Sequence, residues 1–221
     1  MLTPVVSHTW DLSPREAVAL QRDLAGRTER RDRLDPVSLV AGIDVSVRGG
    51  LARSAVVVLR LPELDVVEQV LAERPVTFPY VPGLLSFREA PVILDALERL
   101  ENTPQVLMFD GQGIAHPRRL GIASHLGVVL DHPSIGCAKS RLTGAYTDPA
   151  PQRGSRTWLH DGEELIGAVL RTRDRVKPVF VSIGHRVSLD TAVELVLRCG
   201  GGYRLPEPTR RADRAAAIPP S

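Results

Sequence analysis

LVAGIDVSVRGGLARSAVVVLRLPELDVVEQVLAERP, residues 39 to 75, reads as three strands in succession. The runs Leu39 to Val47, Ser54 to Leu61 and Val66 to Arg74 are rich in β-branched and aliphatic side chains, which suit a pleated, half-buried surface. Arg48-Gly49-Gly50 leads into the second run, and Pro62-Glu63-Leu64-Asp65 forms the turn into the third. Connectors this short join antiparallel neighbours, because a parallel return needs a dozen or more residues.

Downstream the pattern changes to alternating helix and strand. Helical spacing runs from about Phe87 to Leu100, Val106 to Phe109 is a short apolar strand, and a further helix is expected from about Arg118 to Leu130, opened by Pro117. Ser134 to Cys137 and Val179 to Ile183 read as strands, with a hairpin around Asp161-Gly162 between them. Ser188 caps a helix that ends at Gly200-Gly201-Gly202, glycine being the usual stop. Upstream, Ser13-Pro14-Arg15-Glu16 combines an N-cap serine, a proline at the first helical position and a capping-box glutamate, which predicts a helix from Ser13 to Arg31.

An antiparallel three-strand meander continued by βα units implies an α/β protein, one mixed sheet flanked by helices. That outline agrees with a ribonuclease-H-like fold and does not by itself distinguish it from several other α/β folds. A single catalytic domain is expected over residues 1–207, followed by a Pro-, Arg- and Ala-rich C-terminal tail, 208–221, that is partly disordered.

The 221 residues fit one domain, and a hydrophobic content of 43% can bury an ordinary core. No run approaches the ~18 apolar residues of a membrane span, and MLTPVVSHTWDLS is not patterned as a signal peptide. Cys137 and Cys199 are too few for a disulfide framework, so a reduced cytoplasmic protein is expected. The net charge of +2 does not by itself mark a nucleic-acid binder. Of the 28 basic residues only Lys139 and Lys177 are lysine. The arginine bias is compatible with phosphate contacts, and it singles out Lys139 as a residue kept for its chemistry.

Asp44 lies inside the apolar run Val40-Ala41-Gly42-Ile43-Asp44-Val45. A buried carboxylate is costly unless a metal or hydrogen bonds replace its hydration. The ordinary alternative is an aspartate paired with a neighbouring amide or arginine. Asp110 ends Val106-Leu107-Met108-Phe109-Asp110, ahead of Gly111-Gln112-Gly113, where a plain turn-forming aspartate is equally natural. Together they say more. Carboxylates on adjacent strands can converge on a hard cation such as Mg²⁺, which in phosphodiester hydrolysis orients the phosphate and activates water.

Glu89 is either the glutamate of a Ser86 capping box or, near a helix start, a carboxylate reaching the metal through water. Arg88 beside it is a candidate substrate contact and otherwise a solvated surface residue. Phe78-Pro79-Tyr80-Val81-Pro82-Gly83 brackets an aromatic with prolines, so Tyr80 is either a wedge for a base stack or packed over the core edge. His116 can protonate, hydrogen-bond or line the site, although a lone histidine is more often structural. Lys139 follows a strand and can hold a phosphate or polarise an attacking water.

AGIDVS, FPYVPGLLSFRE, FDGQGIAHPRRLGIASHLGV, SIGCAKSRLTG, VSIGHRVSL and YRLPEPTRRAD occur in this order between about residues 40 and 213. Taken together these segments resemble the endonuclease V family, nucleases acting on deaminated bases, and the Pro-Tyr-Val-Pro loop is the most specific of them. The resemblance implies a ribonuclease-H-like fold and dependence on Mg²⁺, with Mn²⁺ able to substitute. It implies cleavage of the second phosphodiester bond 3′ to inosine, leaving 3′-hydroxyl and 5′-phosphate ends. By the same motifs Asp44 and Asp110 bind the metal directly and Glu89 is the third acidic residue. Tyr80 is the wedge, and Gly83, Leu85, Gly111 and Ile122 line the pocket for the flipped base. His116 and Lys139 support catalysis; some relatives carry a histidine near the metal where this chain has Asp213, which leaves a further carboxylate contact open there.

The expected partner is DNA containing deaminated bases, bound by a monomer without a membrane. Two other readings stay open at this point. One is a related nuclease acting mainly on inosine-containing RNA; the other is a non-catalytic inosine reader, which has little use for Asp44, Glu89 and Asp110.

Overall fold

The computed structural model describes residues 2–217, and the meander runs through it as β1 (Leu39–Arg48), β2 (Leu51–Arg60) and β3 (Asp65–Pro75). Arg48 pairs with Leu51 across Gly49 and Gly50, whose φ of +56° and +79° are what a two-residue hairpin loop requires. β4 (Val106–Phe109) returns parallel to β1, and β5 (Ser134–Ala138) lies parallel beside β4. β6 (Arg156–Asp161), β7 (Glu164–Leu170) and β8 (Val179–His185) complete one eight-stranded sheet in the order β3-β2-β1-β4-β5-β8-β7-β6.

Period-two alternation gives the sheet two buried faces. Ala41, Ile43, Val56, Val58, Leu107 and Phe109 point to one core, shared with Ile93 and Leu97 of α2 (Leu85–Leu97) and Leu126 of α3 (Ile122–Leu130). Val40, Val106, Met108 and Ile135 point to the other, against Val193 and Val196 of α4 (Leu189–Arg198). Each fully buried side chain of this size contributes about 1.5–3 kcal/mol. The N-terminal helix α1 (Pro14–Ala25) has the expected reciprocal capping box between Ser13 and Glu16, and it ends six residues short of Arg31.

Two expectations are corrected. The segment from Arg118 to Gly121 is not helical, and α3 begins at Ile122. Gly121 crosses the Gln112–Gly113 loop so closely that a Cβ there would lie 2.3 Å from the Gln112 carbonyl oxygen, and Arg119 takes a left-handed φ of 57°. The supposed tail is a helix, α5 (Glu207–Ala216), whose Ala212 and Ala216 pack on Ala55, Val57 and Leu59 of β2. It passes so near β1 that a Cβ at Gly42 would sit 2.0 Å from the Pro208 backbone. The expectation of disorder for the extreme end falls on residues 218–221, which lie outside the described residues.

Candidate active site

β1 and β4 are neighbours in register up to Ile43 and Phe109, and the Asp110 N–H donates to the Ile43 carbonyl at 3.0 Å. Asp44, midway along β1, and Asp110, just past the end of β4, therefore stand side by side. α5, brought over β1 at Gly42, adds Asp213. Oxygens of these three carboxylates lie within 4.8 Å of one another. Lys139, just beyond β5, places its Nζ 2.6 Å from Asp110 Oδ2 and 2.6 Å from Asp213 Oδ1.

Like charges held this close resist ionisation. Burial and the neighbouring Asp110 push Asp44 up to about 7, against the pull of Lys139. Burial, then Asp44, push Glu89 up to about 8. Asp110 is raised by burial and relieved by its bond to Lys139. Burial alone would lower the Lys139 ammonium, but its bonds to Asp110 and Asp213 outweigh that and hold it protonated. Clustered oxygen donors with an unmet demand for positive charge suit a hard divalent cation. Glu89 is outside the trio whose oxygens converge; it stands in the second turn of α2 and lines the same cleft.

That cleft encloses about 420 Å³. Tyr80, Gly83, Leu85, Gly111, His116 and Ile122 line it together with Asp44, Glu89, Asp110 and Lys139. The structure thus brings together ten of the residues singled out from sequence. Arg88 is the exception: it does not line the cleft, and its Nη1 donates to the Phe78 carbonyl at 3.0 Å. Tyr80 is 72% exposed, which rules out packing over the core edge. Its loop is pinned from behind by Phe78, buried against Phe87 with ring centroids 5.6 Å apart.

His116 is buried, and burial lowers it to about 4 despite its bond to Gly83. The neutral ring donates from Nε2 to the Gly83 carbonyl at 2.9 Å and accepts the Arg118 N–H at Nδ1, 3.1 Å away. Both nitrogens are engaged, and the Nε2 bond ties the ring to the Gly83 loop. Ile122, the first residue of α3, has an N–H with no partner inside the helix, available to an acceptor in the cleft.

Ser86 does not cap α2, whose N-cap is Leu84 without a side-chain bond. Its Oγ instead pairs with His125 Nδ1 at 2.9 Å, and His125 Nε2 pairs with His8 Nε2 at 2.9 Å. His8 Nδ1 faces the Thr9 carbonyl at 2.8 Å and must donate. Burial holds His125 neutral, down to about 3, so one of its ring nitrogens donates in this chain and the other accepts.

Sequence reasoning passed over Gln21, Gln112 and Leu142, which also line the cleft. For Gln21 a signal existed. It is the one polar member of the buried stripe Ala17, Gln21 and Leu24 of α1.

Residues 22–214 match the family model described as endonuclease V. The chain is 53% identical over 213 residues to endonuclease V of Nostoc punctiforme, covering 95% of this chain and 96% of that protein. The crystal structure of endonuclease V from Streptomyces avermitilis superposes with a TM-score of 0.90 at 45% identity, over 97% of this chain and 96% of that one. Endonuclease V of Ciona intestinalis, crystallised with a 24mer DNA containing an inosine followed by a ribo-adenosine, gives 0.80 at 31% identity, over 91% and 95%.

Proposed function

The chain belongs to the endonuclease V family, and from that premise we propose that it opens DNA at the second phosphodiester bond 3′ to a deaminated base, chiefly hypoxanthine, leaving 3′-hydroxyl and 5′-phosphate ends. The observation that carries this reading is the carboxylate trio Asp44, Asp110 and Asp213 beside a cleft that an exposed Tyr80 also lines. Those three residues would hold Mg²⁺ or Mn²⁺, with Glu89 reaching it through water. A divalent ion bound there supplies charge to the scissile phosphate and a water of lowered pKa. Lys139 keeps Asp110 and Asp213 oriented, and its ammonium also faces the phosphate.

A flipped base would enter the cleft that Gly83, Leu85, Gly111 and Ile122 line. Hypoxanthine carries an oxygen where adenine has an exocyclic amine, so a backbone N–H aimed there accepts inosine and rejects adenosine. Extracting a mispaired deaminated nucleotide also costs less than extracting a paired one. Tyr80 would fill the gap left in the stack.

We read residues 2–217 as one catalytic unit, since α5 completes the carboxylate trio. No helix among the described residues is long and apolar enough to cross a membrane. Cys137 and Cys199 are buried and free, which fits the reducing cytoplasm we propose as its location.

The deciding experiment is incision of duplex DNA bearing one inosine, with mapped product ends, in Mg²⁺ and in chelator. Cleavage without metal, or at another bond, overturns the reading. A matched inosine RNA in the same assay decides the preferred nucleic acid, a question sharpened by the ribo-adenosine in the Ciona complex.

A further inference from the structure

Gln21 is 1% exposed, in the stripe of α1 that faces the rest of the protein. Its Nε2 donates to the Gly83 carbonyl at 3.0 Å and to the Leu120 carbonyl at 3.1 Å. Its Oε1 accepts from Arg118 Nε. All three capacities of the amide that matter here are used, and the pattern fixes its orientation, because a flipped amide would set an oxygen against two carbonyls.

The two carbonyls belong to separate segments of the chain that both line the cleft. Gly83 lies in the loop that carries Tyr80, while Leu120 immediately precedes Gly121 and Ile122 at the start of α3. Gly83 is a focal point: His116 Nε2 and Arg118 Nη2 donate to the same oxygen at 2.9 and 2.8 Å. Its φ of +79° and the Arg118 Nη2 atom 2.8 Å from a hypothetical Cβ leave the position to glycine. Gln21 comes from α1, outside both of these segments, and among the described residues it is the one side chain that bonds the Leu120 carbonyl as well as Gly83.

We infer that Gln21 is a specificity-determining positioning residue: by bridging the Gly83 and Leu120 carbonyls it sets the separation of the two segments, and with it the aim of the Ile122 N–H at a purine carbonyl oxygen. The inference rests on the reading of the cleft as the pocket for a flipped base. Selection by backbone N–H groups depends on their spacing, since a hydrogen bond weakens steeply once it lengthens or bends. A segment free to move by a fraction of an ångström would lose discrimination while the carboxylate trio stayed intact.

Gln21→Met keeps the volume and removes the bridge. Gln21→Glu keeps the acceptor for Arg118 and turns an oxygen on the two carbonyls, so it serves if Gln21→Met does not fold. Each variant, with active sites titrated, is measured for dissociation constants on inosine and undamaged duplexes in Ca²⁺, and for single-turnover cleavage at saturation in Mg²⁺. Inosine affinity should fall about tenfold, the worth of a misaligned hydrogen bond. Affinity for undamaged duplex and the saturated rate should stay within about twofold. A merely structural role would move the melting temperature and leave the affinity ratio alone. An unchanged ratio, equal losses on both duplexes, or a fall in the saturated rate alone would each overturn the inference. If the wild-type protein itself shows no preference for inosine, it is the base-pocket reading that fails.

Discussion

Asp44→Asn should stabilise the metal-free protein while abolishing incision. Holding the Asp44 carboxyl at about 7 instead of its ordinary 3.8 costs about 4 kcal/mol of folding free energy at pH 8 by linkage. Burial is the first cause of the rise and Asp110 adds to it, so deleting one charge recovers only part of a shared total, and about 2 kcal/mol is expected. For a chain of this length that is a rise in melting temperature of about 4–8 °C.

The sign follows from proton counts. Between the ordinary value and about 7 the folded state binds more protons than the unfolded one, so wild-type stability falls as pH rises through that window. The advantage of Asp44→Asn is therefore largest at pH 8, shrinks as pH is lowered through 7, and vanishes near the ordinary carboxylate value. Thermal melts in chelator across pH 4 to 8 measure it. A melting temperature at pH 8 equal to or below wild type, or a gain as large at pH 5 as at pH 8, would falsify the electrostatic argument. Asp110→Asn is the internal control: its carboxylate is relieved by Lys139 at 2.6 Å, so its removal should give a smaller gain or none.

Tyr80→Ala should weaken binding to inosine duplex by roughly five- to a hundredfold, the worth of one base–aromatic stack. Tyr80→Phe should cost little, and equal losses on single and double strands would remove the wedge. Lys139→Ala should lower the single-turnover rate more than affinity; a variant that binds poorly yet cuts normally at saturation would make Lys139 a phosphate anchor. His116→Asn should weaken substrate binding through the Gly83 loop and leave the pH–rate profile between 5 and 8 unchanged, because the ring is already neutral there. A lost limb of that profile would show that His116 transfers a proton.

Much of the fold was legible along the chain. β1 to β4 fall within a few residues of the expected runs, and the Ser13 box and the Ser188 cap stand where their residues announce them. Strand alternation, capping and hairpin loops are decided by groups a few residues apart, so sequence alone carries them. Asp44, Asp110 and Lys139 were equally legible as polar groups in or after apolar strands.

The third converging carboxylate and the groups that support the cleft were not. Asp213 sits on a helix whose buried face is mostly small, and alanine and threonine give little apolar signal beside arginine and proline. Its place is set by the missing Cβ of Gly42, far away in the chain. Helical propensity from Arg118 to Gly121 yields to the crossing over Gln112, and Ser86 spends its hydroxyl on His125 instead of a cap. Gln21 is one polar residue in an apolar stripe of α1, and only the folded chain presents it with two carbonyls from elsewhere. Local propensity chooses among backbone states that differ by about 1 kcal/mol or less per residue. Buried hydrogen bonds, close backbone crossings and like charges in one cleft involve larger energies, and they exist only once the sheet has brought distant segments together.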